Sequence, residues 1–144
     1  MESPYDLERF LEAQHGTYQT ALAELQQGRK RSHWIWFVFP QLKGLGTSPM
    51  AQRYGLSGLD EARAYLHHPI LAPRLGACVT ALLGHCDKRV SDMLGEVDAL
   101  KLRSSLTLFA KADAENLAFS AALDHFYNGS RDARTLVILG LPAA

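Results

Sequence analysis

Between Val97 and Ala110 the chain is apolar on nearly every side: Val97, Leu100, Leu102, Leu106, Leu108 and Phe109 leave no broad face for solvent. An all-round apolar helix must be wrapped by other elements. The segment is therefore expected as the central helix, about residues 97–110, of a compact multihelical all-α domain. The flanking sequence supplies the wrapping. Leu7, Phe10, Leu11, Gln14 and Tyr18 recur at spacings of three and four, and so do Tyr18, Ala21, Leu22 and Leu25. The same period runs through Leu59, Ala62 and Leu66, through Ile70, Leu71, Leu75, Cys78, Val79 and Leu82, and through Leu117, Phe119, Leu123 and Phe126. That period is the mark of one-sided helices. Val90, Met93 and Leu94 make a shorter amphipathic piece.

Start and stop signals divide these helices. Ser3-Pro4, Thr17, Ser48-Pro49, Asp113 and Asp132 are expected starts, and Gly16, Gly28, Gly95 and Asn128-Gly129 are expected stops. Two short runs, 33–39 and 136–139, fit a buried strand as well as helical turns. No partner strand is evident for either, so a short helix is preferred. Residues 1–144 read as a single helical domain, since no repeat, linker or low-complexity stretch divides them.

Composition excludes several function classes. Lys+Arg and Asp+Glu are both 15, giving zero net charge. A general nucleic-acid binder would carry a basic excess. The longest apolar run, Trp34 to Phe39, is too short to cross a bilayer. Residues 1–6 show no basic region leading into an apolar run, so no secretory signal is expected and the location is read as cytoplasmic. Cys78 and Cys86 are eight residues apart, about 12 Å on a helix, too far for a disulfide; both are expected as free, buried thiols. No spacing of His and Cys suits a metal, and no cofactor fingerprint is present. A serine-hydrolase elbow is absent.

Two constellations carry chemistry. Arg29-Lys30-Arg31 precedes Ser32-His33-Trp34-Ile35-Trp36-Phe37. Lys30 and Arg31 can neutralise phosphate. Trp34 or Trp36 can stack on a ring, and His33 can act as acid or base. Gln41 and the loop Gly44, Gly46 and Ser48 follow, with backbone N–H groups that can face an anion. The second constellation is a polar stripe on the central helix: Asp98, Lys101 and Ser105, with Ser104 beside them. Asp98 can serve as acid, base or hydroxyl acceptor, and Lys101 as phosphate ligand. The ordinary structural explanations are core aromatics, a helix-start acid and back-bonded serines.

The stretches Gly28–Phe37, Phe39-Pro40-Gln41, Gly44–Ser48, Glu61–Leu66, His68–Leu71 and Asp98–Phe109 resemble a bacterial family known as domain of unknown function 1810. The resemblance covers nearly the whole chain and implies an all-α, multihelical fold. Members of that family often carry the name calpastatin. True calpastatin inhibitor domains are disordered and polar, whereas this chain is 47% hydrophobic. Asp98, Lys101 and Phe109 are also similar to a stretch of the NADAR superfamily, which is associated with NAD-derived and ADP-ribose-type substrates and N-glycosidic cleavage. Three functions follow as expectations. One is a nucleotide or phosphosugar site, extending to an N-glycosidase with Asp98 and His33 as catalytic groups. The others are a non-catalytic protein-interaction module with an exposed Trp34/Trp36/Phe37 patch, and a local nucleic-acid contact through Arg29, Lys30 and Arg31.

Overall fold

The computed structural model describes residues 5–142, so the expected start at Ser3-Pro4 lies outside the described residues. It contains α1 (Glu8–Gln14), α2 (Tyr18–Gln27), α3 (Ile35–Val38), α4 (Pro49–Tyr54), α5 (Leu59–His67), α6 (Leu71–Leu83), α7 (Val90–Leu94), α8 (Glu96–Ala112), α9 (Leu117–Tyr127) and α10 (Ala133–Leu139). Both ambiguous runs are helical, as α3 and α10. The only extended pairing among the described residues is an isolated parallel bridge between Leu42 and Leu56.

α8 is the axis of the fold. Helices α5, α7, α9 and α10 all pack on it, while α2 lies on α6 and α6 on α9. Leu102, Leu106, Leu108 and Phe109 are at most 1% exposed. The wrapping is incomplete, however: Val97 and Leu100, in its first turns, are 66% and 57% exposed. The opposite side of the same turns is covered: Ala99 is buried, and its carbonyl accepts from the Tyr127 hydroxyl of α9.

Local chemistry sets most boundaries. Gly16 and Gly28 turn the chain at φ +75° and +76°, where a side chain would be strained. Ser48 accepts from the N–H of Ala51 and caps α4, with Pro49 in the first position. Thr17 stands before α2 but makes no side-chain cap. Asp113 closes α8 rather than opening α9; Asn116 performs that cap, accepting from the N–H of Ala118. Cys78 is buried and Cys86 is exposed, so only one of the two free thiols lies in the core.

Asp132 caps α10 through the N–H (2.9 Å) and hydroxyl (2.6 Å) of Thr135, and faces Arg103 of α8 at 3.8 Å. Asp132→Ala is expected to lower stability by about 1 kcal/mol. Urea unfolding would show this as a reduced midpoint at unchanged slope.

A buried polar junction ties the first helix to the rest. Gln14 donates to the carbonyl of Phe37 (2.7 Å) and to the Tyr65 hydroxyl (3.3 Å), and its own oxygen accepts from Arg74 (3.2 Å). This fixes α3, and with it Trp36, relative to α5 and α6.

Candidate functional site

The segment after α2 is held from below by a single carboxylate. Glu24 is 6% exposed and lies in the last turn of α2. Its Oε1 accepts from the N–H groups of Arg31 (2.8 Å) and Ser32 (3.0 Å) and from the Trp34 indole (3.0 Å), and its Oε2 accepts from the Ser32 hydroxyl (2.6 Å). Burial pushes this carboxyl up. The hydrogen bonds from Ser32, Arg31 and Trp34 outweigh it and hold the group at about 2, far below its ordinary 4.5. The Lys30 N–H donates to the Met93 carbonyl at 2.7 Å, which pins the segment to α7.

So held, Lys30 turns inward. Its ammonium pairs with Asp98 at 2.8 Å, donates to the Ser32 carbonyl and lies 5.0 Å from the centre of the Trp34 ring. Lys101, one turn further along α8, is 4.0 Å from the other Asp98 oxygen and 5.0 Å from the centre of the Trp36 ring. The Lys30, Asp98 and Lys101 side chains are 7%, 19% and 28% exposed. Two ammonium groups thus share one carboxylate at a half-buried corner, each over an indole face. The Lys101 ammonium makes no hydrogen bond to any described residue, and the Trp36 indole N–H is buried with no acceptor among them.

Of the residues proposed from sequence, Lys30, Trp36, Asp98 and Lys101 come together here. The others go elsewhere. Trp34 is fully buried beneath Lys30 and has no face open to a ligand, whereas Trp36 is only partly buried. Phe37 is also buried, so of the aromatic patch expected of an interaction module only Trp36 stays partly exposed. His33 is exposed and makes no hydrogen bond to the cluster. Arg31 is exposed and lines a groove with Arg29, Lys88 and Arg89.

The glycine loop serves packing. A methyl group on Gly46 would stand 2.8 Å from Ala51 of α4, and Gly44 faces Ile138 of α10. Gln41 meets Trp36 in a void of about 10 Å³, room for no more than a water. Ser104 donates back to the Leu100 carbonyl at 3.2 Å. Ser105 lies fully buried with its hydroxyl unpartnered, one turn deeper than Lys101. Glu24 was missed by sequence reasoning although a signal exists. The buried stripe of α2 runs through Tyr18, Ala21 and Leu25, and Glu24 falls within it. A carboxylate on a buried stripe needs donors.

Among the described residues no three of His, Cys, Asp and Glu converge on a metal position, and no helix is long and apolar enough to cross a membrane.

These features define a small all-α protein with a lysine-rich, half-buried corner on its central helix. The chain belongs to the family described as a protein of unknown function (DUF1810), whose model matches residues 4–139. Its fold matches the crystal structure of the conserved hypothetical protein Rv1873 from Mycobacterium tuberculosis with a TM-score of 0.94 at 48% identity, over 97% of this chain and 100% of that one. No curated protein matches it significantly.

Proposed function

We propose that the protein binds a small phosphorylated metabolite of nucleotide or phosphosugar type, NAD- or ADP-ribose-like, at the Lys101–Trp36 corner. The observation that carries this reading is the charge count at Asp98: Lys30 and Lys101 face one carboxylate, and the Lys101 ammonium has no hydrogen-bond acceptor among the described residues. A partly desolvated cation in excess is relieved by an anion, and phosphate offers the oxygens it lacks. When the ammonium moves to a phosphate, the Trp36 face beneath it becomes free for a ring.

Retention of a ligand is favoured over bond cleavage. Asp98 is engaged by both ammonium groups, and the His33 ring makes no hydrogen bond or ion pair with any described residue. If cleavage of an N-ribosyl bond does occur, Asp98 is the group placed to stabilise an oxocarbenium-like centre.

Amide NMR with NAD, ADP-ribose, AMP and ribose 5-phosphate in turn tests the reading. One of them is expected to shift Lys30, Trp36, Asp98 and Lys101, and Lys101→Ala should weaken its binding about tenfold, the loss of one charge-assisted contact. Equal binding by Lys101→Ala, or no shift with any of the four, would overturn it.

A further inference from the structure

We infer that a second anion site, built for a diphosphate group, lies on the other side of the Arg29–Ser32 segment. A groove of about 600 Å³ runs there between the end of α2 and the start of α7, lined by Gln27, Gly28, Arg29 and Arg31 on one wall and by Asp87, Lys88, Arg89 and Asp92 on the other. The volume is that of an ordinary small-molecule site.

The walls come from distant parts of the sequence and are fixed in place. His85 shares a hydrogen bond with the Gln26 carbonyl at 2.8 Å, joining the end of α6 to the end of α2. Gly28 turns at φ +76°, and the Lys88 ammonium lies so close over it that a methyl group there would be 2.7 Å away. Behind the first wall, Glu24 and Met93 hold the backbone of 30–32. The groove is thus a formed concavity with a basic lining.

Its charges are uncompensated. The side chains of Arg29, Arg31, Lys88 and Arg89 make no ion pair, hydrogen bond or ring contact with any described residue. Asp87 and Asp92 share the lining but pair with none of them, leaving a net excess of two positive charges (four cations less two carboxylates). Outside the groove, by contrast, Arg9, Arg63, Arg103 and Arg131 pair with carboxylates. Three guanidinium forks and one ammonium in a single groove suit an anion with several oxygens at more than one centre. No aromatic side chain lines the groove, so no base would stack there. Two linked phosphates fit this lining better than one phosphate or a nucleic-acid strand.

The site is independent of the Lys101–Trp36 corner, because Lys30 points away from the groove to Asp98. Titration with inorganic pyrophosphate, followed by amide NMR and calorimetry, tests it. Shifts are expected at Gly28, Arg29, Arg31, Lys88 and Arg89, weakening as salt is raised. The double variant Arg31→Ala/Arg89→Ala should bind about tenfold more weakly or worse, through two lost charge-assisted contacts. Both side chains are exposed and have no partner among the described residues, and an unchanged circular dichroism spectrum would confirm that the variant is folded. In Lys101→Ala the pyrophosphate-induced shifts at Gly28, Arg29, Arg31, Lys88 and Arg89 should be those of wild type, whatever happens at the corner. The inference is overturned if pyrophosphate shifts none of these amides, if the double variant binds equally, or if orthophosphate binds as tightly. A short single-stranded RNA that binds more tightly than pyrophosphate would also overturn it, in favour of a nucleic-acid surface.

Discussion

Glu24→Ala is expected to cost about 4 kcal/mol, the range seen when a buried charge network loses its central acceptor. Three N–H donors and one hydroxyl lose their acceptor together, and the Arg31–Trp34 segment loses its anchor on α2. Because the folded carboxyl is held at about 2 against 4.5, its contribution is complete above the unfolded value and is lost as pH falls from there toward 2. The difference of 2.5 between those values corresponds to about 3 kcal/mol. Urea unfolding of wild type and variant at neutral pH and at about pH 3 checks both statements, with the gap at the lower pH reduced by roughly half. A cost below about 1 kcal/mol at neutral pH, no more than one ordinary hydrogen bond, would show that these donors find other acceptors. Glu24→Gln should recover only part of the loss, since its amide nitrogen presents a donor where Ser32 already donates.

Phe109→Ala is expected to be equally damaging, about 4 kcal/mol, through the cavity it leaves. Phe109 is fully buried on α8, with ring centres 5.6 Å from Phe119 of α9 and 5.4 Å from Tyr65 of α5. A melting temperature lowered by about 10 °C follows for a chain of this size, readable by circular dichroism. Phe109→Leu should lose less than half as much, since it keeps most of the volume. A drop below about 3 °C for the alanine variant would mean that α5 and α9 close over the gap.

The two positions differ in how openly the sequence announces them. Phe109 sits in a run whose apolar residues point in all directions, and helical geometry alone then demands a central place. The caps at Ser48 and Asp132 are local chemistry and were equally legible. Glu24 has its donors seven to ten residues downstream, in a segment whose direction is set by Gly28 and by the hydrogen bond to Met93. The same holds for the pairing of Lys30 with Asp98. Both side chains were named from their chemistry, but the contact depends on how α7 delivers the chain into α8. Trp34 and Trp36 could not be told apart in advance. Which one faces the core depends on α3 being a single helical turn, and on Gln14 and Glu24 holding that turn at both ends. Lys88 and Arg89 drew no notice because their neighbours across the groove are nearly sixty residues earlier.

The protein has two tryptophans, and they have been placed in opposite surroundings. Trp34 is sealed in the core with its indole N–H on a carboxylate, whereas Trp36 is half-buried under a mobile class of side chain, a lysine. The molecule therefore carries two separable optical probes. With Trp36 replaced by phenylalanine, emission reports on the integrity of the interior and should change only when the fold opens. The light from Trp36, obtained by difference, reports on whatever displaces the ammonium above it. Folding and occupancy can thus be followed in one cuvette without a label.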